Sequence, residues 1–172
     1  MLMVALGLGG LISTVERQRQ ESEEREAFKT ALEQGSRAVV YLNDTELLER
    51  AVLYLQLLNS MSERECGMVA KGLPSLDSVL SAIDSLDPGS RLRWKTLAAE
   101  DRRELAAGGE PQLVSQAIME RAFEWLFASA TDADAAALAH LDEVDGVTPE
   151  DACAAEVAYY RLAIAAPTEY RR

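Results

Sequence analysis

The chain has 172 residues, a net charge of −12 and a pI near 4.5, with 48% hydrophobic residues and a mean hydropathy of −0.09. This length suits one hydrophobic core, and this composition excludes a wholly disordered or multi-spanning chain. The negative charge opposes nucleic-acid binding, and two cysteines with one histidine exclude most zinc sites and histidine-dependent catalytic sets.

The chain opens on an apolar segment, residues 1–14, that is neither a complete membrane span nor a complete secretion signal. Its run from Met1 to Ile12 would cover about 18 Å as a helix, against roughly 30 Å for a bilayer core, and no Lys or Arg precedes it. Two interpretations stay open. The segment is the end of a truncated membrane anchor, or it is a helix that packs on the folded body or on a second copy.

A charged segment, residues 15–27, follows, and nearly all of its side chains from Glu16 to Glu26 are charged or carry amides. We expect a stalk or polar helix here, ahead of a single helical domain at 28–172. The three arginines of the segment favour a cytoplasmic domain under the positive-inside tendency. The acids between them weaken that preference, so these charges do not set an orientation.

Helical periodicity begins at residue 28 and continues along the rest of the chain. Apolar residues recur at three- and four-residue spacing over 28–42, and a broader stripe over 47–58 predicts a central helix with neighbours on several sides. Asn43 and Glu46 have capping-box spacing in front of that helix, with Asn in place of Ser or Thr.

The middle of the chain predicts shorter helices. Ser62 and Glu65 repeat the capping box before a short apolar stripe. The next helix is predicted over 76–83 and is closed by a turn at 87–89, which reads Asp-Pro-Gly. The helical pattern over 90–107 is weaker.

The last third of the chain predicts three further helices. Pro111 fits the first position of a helix that extends past Leu126, and another helix is expected within 132–146. The pair 148–149 supplies an N-cap threonine and a first-turn proline for the last helix, which Pro167 ends. Because Ala and Leu far outnumber β-branched residues, the predicted fold class is all-α, an irregular or orthogonal bundle of about seven or eight helices, several of them short.

The two cysteines, Cys66 and Cys153, each lie about one turn inside a capped helix on its apolar stripe. We predict a disulfide between them, worth about 4 to 5 kcal/mol in the chain-entropy treatment, which would join the two halves of the domain. Two alternatives stay open. The cysteines are unpaired buried thiols, or one is a reactive thiol whose partner would have to be His140.

The densest charge lies over 122–160, where many acids occur with no Lys or Arg. A calcium loop aligned on Gly146 lacks the carboxylates required at its two ends, so no metal site is predicted. The acids form either a solvated face with helix-capping carboxylates or a docking surface for a basic partner. The predicted partner-binding acids are Asp142, Glu143, Asp145, Glu150 and Asp151.

Trp94 lies in a short basic stretch of an otherwise acidic chain, flanked by Arg93 and Lys95. Nearby acids and the overall charge argue against a nucleic-acid strand as its ligand. We expect Trp94 to be a partner-binding anchor if it is exposed.

Taken together, these residues predict no catalytic set and no cofactor. We expect a non-catalytic protein–protein interaction module of the inhibitor, immunity or adaptor type, either periplasmic in a bacterium or tethered to a membrane through the N-terminus. The alternatives are an enzyme with an unrecognised carboxylate site, a subunit that self-assembles or forms a homodimer through its apolar N-terminus, and a cytoplasmic location.

Overall fold

The structure is a computed structural model and describes residues 41–108, 111, 114–141 and 146–170. This part of the chain forms seven α-helices and a short 3-10 helix and contains no strand, which confirms the all-α prediction for it. The predicted apolar segment, the charged segment and most of the first predicted helix lie outside the described residues. In chain order the helices are α1 (Asp44–Asn59), α2 (Glu63–Ala70), α3 (Leu76–Ser85), α4 (Pro88–Ala107), α5 (Gln116–Ser129), α6 (Asp132–Leu138), α7 (Pro149–Ala165) and the 3-10 helix Thr168–Tyr170.

The predicted capping signals start the helices to which they were assigned. The Asn43 side chain accepts hydrogen bonds from the backbone N–H groups of Thr45 and Glu46, at 3.0 and 3.1 Å, and Glu46 accepts one from the Asn43 N–H at 2.9 Å. Ser62 and Glu65 form the same reciprocal pair at α2. Each pair satisfies backbone donors that have no partner inside the helix.

Two helix starts differ from the prediction because a nearby side chain supplies a better cap. The Asp87 carboxylate accepts the N–H groups of Gly89 and Ser90 at 2.9 and 3.1 Å, so the predicted turn is the start of the long helix α4. Helix α5 begins behind Ser115, whose hydroxyl accepts the Ile118 N–H, and not at Pro111. In both places the helix begins where a side chain accepts hydrogen bonds from the first backbone N–H groups, which have no acceptor inside the helix.

Helix α7 is the centre of the described bundle. It packs most extensively on α2 and also contacts α1, α5 and α6, whereas the predicted central helix α1 packs on α7 and α3. Three of the buried residues of α7 are alanines, Ala152, Ala155 and Ala158. Small side chains let neighbouring backbones approach closely, but they contribute little to a hydrophobic pattern, so the sequence favoured the leucine-rich helix.

Among the described residues, the core forms three groups of buried side chains, and one of these groups contains both cysteines. One group lies between α1 and α3, a second joins α5, α6 and α7, and the third lies where α1, α2 and α7 meet. The third group therefore links the N-terminal and C-terminal parts of the described bundle. In the same order the buried members are Leu57, Val79, Ala82 and Ile83; Leu126, Leu138, Ala158 and Leu162; and Leu58, Cys66 and Cys153.

Candidate interaction surface

The two cysteines are joined at the meeting point of α2 and α7. The sulfur atoms of Cys66 and Cys153 are 2.01 Å apart and their Cα atoms 5.2 Å apart, within the range that a disulfide allows. Both side chains are buried beside Leu58. The predicted pairing is therefore present, and a reactive-thiol site that uses His140 has no free sulfur in this state.

Next to the disulfide, α2 touches the first turn of α7 directly. A Cβ atom at Gly67 would lie 1.7 Å from the carbonyl oxygen of Pro149, so only glycine fits this contact. The Lys71 ammonium, at the end of α2, donates a hydrogen bond of 2.6 Å to the carbonyl oxygen of Val147. These contacts fix the start of α7, where part of the predicted acidic surface lies.

The predicted acidic surface is described only in part. Asp142, Glu143 and Asp145 lie outside the described residues, whereas Glu150 and Asp151 are exposed in the first turn of α7. The carboxylate of Asp151 accepts a hydrogen bond of 2.8 Å from the hydroxyl of its N-cap residue, Thr148. Asp151 therefore caps its own helix, while Glu150 is available to a partner.

Tertiary contacts bring cations to a segment that has none of its own. Arg161 pairs with the buried carboxylate of Asp134 on α6, and Lys71 reaches the loop before α7. Glu156, one of the acids of this segment, is partly buried instead of lying on an exposed face. The acidic character of 122–160 is therefore weaker in the fold than in the sequence.

Glu156 lies in a tyrosine-rich part of the interface between α1 and α7. The ring of Tyr54 is 4.7 Å from that of Tyr160, which in turn meets Tyr159 at 5.3 Å. Burial raises the pKa of the Glu156 carboxyl, and burial together with the charge of Glu156 raises the pKa of Tyr160 to about 12. Because burial disfavours the ionised form, the Glu156 carboxylate destabilises the fold, and this destabilisation grows as pH rises and more of the carboxyl ionises.

Trp94 is half-buried and packs against the core group between α1 and α3. Its indole N–H is buried and has no acceptor among the described residues. The condition attached to the predicted anchor, exposure, is not met. Trp94 therefore packs within the fold, against the buried group between α1 and α3.

A polar cleft of about 370 Å³ lies between α1 and α4, and two of the carboxylates that line it, those of Glu49 and Glu100, are bound to Arg93. Arg93 donates to Glu49 at 2.6 Å and to Glu100 at 2.7 Å, and Arg50 pairs with the buried Asp101. The hydrogen bond from Arg93 holds the pKa of Glu49 below its usual range. Because Arg93 binds both oxygens of Glu49 and of Glu100, this cleft fits an ion-pair network between two helices.

Helix α5 has a second apolar face that was not predicted from the sequence. Met119, Phe123 and Phe127 follow one another at four-residue spacing and are 45%, 50% and 49% exposed. We call these three residues the α5 ridge. The sequence pattern assigned α5 one core stripe, and the buried Leu126 belongs to it, but the four-residue spacing of the ridge was itself visible.

A groove beside the α5 ridge opens onto the core. It has a volume of about 200 Å³ between α5, α7 and the 3-10 helix, and its walls include Trp125, Tyr159 and Tyr170. The rings of Trp125 and Tyr170 are 6.4 Å apart across this part of the molecule. The buried Leu126 also lines the groove, which is therefore continuous with the core group of α5, α6 and α7.

Two further findings concern the whole described part. Within 41–108, 111, 114–141 and 146–170, no cluster of three or more His, Cys, Asp or Glu side chains is placed to bind a metal ion. None of the helices in the same ranges has the length and apolar content needed to cross a bilayer. No protein-family model, curated protein or solved structure matches the chain.

Proposed function

We propose that this chain is a protein–protein interaction module that acts without catalysis, in the manner of an inhibitor, immunity protein or adaptor. The observation that carries the proposal is the α5 ridge, because three large apolar side chains on one helix face are left about half in water. Contiguous apolar surface beside polar residues is typical of a surface that another protein covers. The groove beside the ridge adds concave apolar area to the same surface.

Charge supports a partner with a basic surface. The net charge is −12, and exposed acids lie both on α5, at Glu124, and on α7, at Glu150. A field of one sign accelerates the encounter with an oppositely charged partner and disfavours partners of the same sign, nucleic acid included.

The disulfide supports an oxidising compartment, and we place the protein in the periplasm or on the outer side of a membrane, with the cytoplasm as the alternative. Disulfides persist in exported proteins, whereas cytosolic thiols are kept reduced. Thiol counting on protein taken from its native compartment without reductant tests this placement. We expect no titratable thiol from Cys66 or Cys153 in the denatured protein, and two free thiols would overturn the placement.

A site-specific cross-linking experiment tests the proposed function. A photoreactive residue at Phe123 should cross-link one protein reproducibly in the native compartment, and Phe127→Ser should abolish that product. A photoreactive residue at Leu92, which is 64% exposed on α4, serves as the matched control and should not give the product. Identical products from both positions, or none from Phe123, would refute the proposal.

Self-association is separated from this function by measuring molar mass against concentration. If the α5 ridge joined two copies, the cross-linked product would be a dimer of the chain, and Phe127→Ser would lower the molar mass. We expect a monomer whose mass does not depend on the ridge.

A further inference from the structure

We propose that the α5 ridge and its groove receive one amphipathic helix that carries Lys or Arg beside its apolar face, supplied by the partner protein. This inference rests on the proposed function and adds to it the chemistry of the partner. It follows from the shape of the surface, from the size of the groove and from the position of charge around the ridge.

The shape of the surface matches a helix. The ridge residues Met119 and Phe127 are eight positions apart, so the ridge is about 12 Å long, or a little over two helical turns. A partner helix laid along it would present apolar side chains at three- and four-residue spacing over the same length. The ridge lies on a single uninterrupted helix, α5, and as a row of residues four apart it is inclined to the axis of that helix.

The groove is the right size for one inserted side chain. Its volume of about 200 Å³ lies below the roughly 300–1,000 Å³ of small-molecule sites, but it admits a large apolar or aromatic side chain. Leu126 at its base is buried in the core, so the inserted group would extend an existing apolar cluster. Aromatic walls at Trp125 and Tyr170 suit such an anchor.

The charge beside the ridge is negative. Glu120 and Glu124 are exposed on the solvent side of the ridge, and Glu120 accepts a hydrogen bond of 2.8 Å from Gln116. The cation of α5, Arg121, lies about 160° around the helix from Phe123, and its Nε donates to the carbonyl oxygen of Ala117. A partner helix on the ridge therefore meets carboxylates along one flank, which favours Lys or Arg on the facing flank.

The same charges disfavour an antiparallel second copy as the occupant. In an antiparallel pair of α5 helices around a two-fold axis, equivalent flanks face each other. Glu120 and Glu124 of one copy would then oppose the same two carboxylates of the other. Like charges in that position are repulsive, and each copy also carries a net charge of −12.

Binding of designed peptides to the full oxidised chain tests the inference. The first probe is a helical peptide of roughly 18 residues with Leu on one face and Lys on the other; the second has Glu for Lys, and the third has Ser for Leu. Trp125 reports the groove directly, because Trp94→Phe leaves it as the remaining tryptophan of the two in the chain. We expect the Leu/Lys peptide to shift Trp125 emission and to bind at least about tenfold more tightly than either of the other two.

Variants locate the binding. Phe123→Ser and the double change Glu120→Lys with Glu124→Lys should each weaken the Leu/Lys peptide by about tenfold or more. Leu92→Ser is the matched control for an exposed apolar residue, and the double change Asp84→Lys with Glu150→Lys is the charge-matched control for two exposed acids elsewhere. Each should change the affinity by less than about twofold. Phe127→Ser repeats the ridge test, so that a folding defect in one variant does not decide the outcome.

Different results overturn different statements. Equal effects of the two double charge reversals, on α5 and at Asp84 and Glu150, would show diffuse attraction to an acidic protein, and the inference would fail. A preference for the Leu/Glu peptide would refute the basic partner. If the peptides bind elsewhere while cross-linking through Phe123 still captures a native protein, the inference fails and the proposed function stands. If neither peptide binding at the ridge nor cross-linking through Phe123 is seen, both the inference and the proposed function fail.

Discussion

Replacing Gly67 by alanine tests the close backbone contact between α2 and the first turn of α7. The new Cβ atom would lie 1.7 Å from the Pro149 carbonyl oxygen and 2.3 Å from the carbonyl carbon, both of which are backbone atoms. Because backbone cannot rotate away as a side chain can, α2 and the start of α7 must separate by more than about 1 Å. The neighbouring disulfide opposes that separation, since it ties Cys66 to Cys153.

The expected loss of stability follows from two opposing effects. Overpacking a close contact usually costs about 1–3 kcal/mol and occasionally more, and this contact is unusually short. The higher helix propensity of alanine offsets about 1 kcal/mol of the cost. Because the new Cβ atom would meet backbone at 1.7 Å, we place the overpacking cost at about 3 kcal/mol or more, and after the offset we expect Gly67→Ala to lower the free energy of unfolding by about 2 kcal/mol or more.

Urea unfolding at neutral pH, followed by circular dichroism, measures this loss. Gly89→Ala is the matched control, because Gly89 also lies in a helix and its nearest atom is the flexible Asp87 carboxylate at 3.2 Å. The control should stay within about 1 kcal/mol of the parent, the size of the propensity difference between glycine and alanine. In a background without the disulfide, α2 and α7 can move apart and the cost of Gly67→Ala should shrink. Equal stability of Gly67→Ala and the parent would refute the close contact.

Three further predictions concern the disulfide, a buried acid and a helix cap. Replacing both Cys66 and Cys153 by alanine should lower the free energy of unfolding by up to about 4.6 kcal/mol, the loop-closure value for residues 87 apart. A loss below about 1 kcal/mol in urea unfolding would contradict a stabilising role of the disulfide. Burial raises the pKa of Glu156 in the folded state above its value in the unfolded state. The contribution of this carboxyl to the free energy of unfolding is therefore fully present below the ordinary pKa of 4.5 and is lost as pH rises through the folded-state pKa. Glu156→Gln should therefore stabilise the protein at pH 7 and not at pH 3 to 4, whereas the exposed control Glu150→Gln should show no such dependence; thermal melts across this range check it. Thr148→Ala removes the hydroxyl that caps α7 and should cost about 1 kcal/mol by the same unfolding assay, a prediction that an unchanged midpoint would contradict.

Much of the fold could be predicted because its signals are local. The caps at Asn43, Ser62 and Thr148 satisfy backbone N–H groups two or three residues away, so they are readable without tertiary information. The pairing of the cysteines was predicted from their number and from their similar positions behind two of these caps. Local signals failed where a competing cap, such as Ser115, was overlooked.

The candidate surface could not be predicted in the same way, because exposure depends on which neighbours a helix meets. The spacing of Met119, Phe123 and Phe127 marks a face of α5, but it does not say whether α7 covers that face. The same holds for Trp94, which was expected to bind a partner if exposed and instead packs on the core between α1 and α3. A hydrophobic pattern shows which residues of a helix are apolar, but it does not show which of them another helix will cover.

The amino-acid sequence by itself determined the helical class, most helix starts and the pair of residues able to form a bridge, because those properties depend on backbone propensity and short-range hydrogen bonds. The tertiary structure decided that α7 lies at the centre of the described bundle, that Lys71 and Arg161 reach into an acidic segment, and that the three residues of the α5 ridge are about half exposed. These outcomes depend on contacts between residues far apart in the chain. How closely two helices approach depends on the side chains between them, and α2 can touch the first turn of α7 because Gly67 has no Cβ atom.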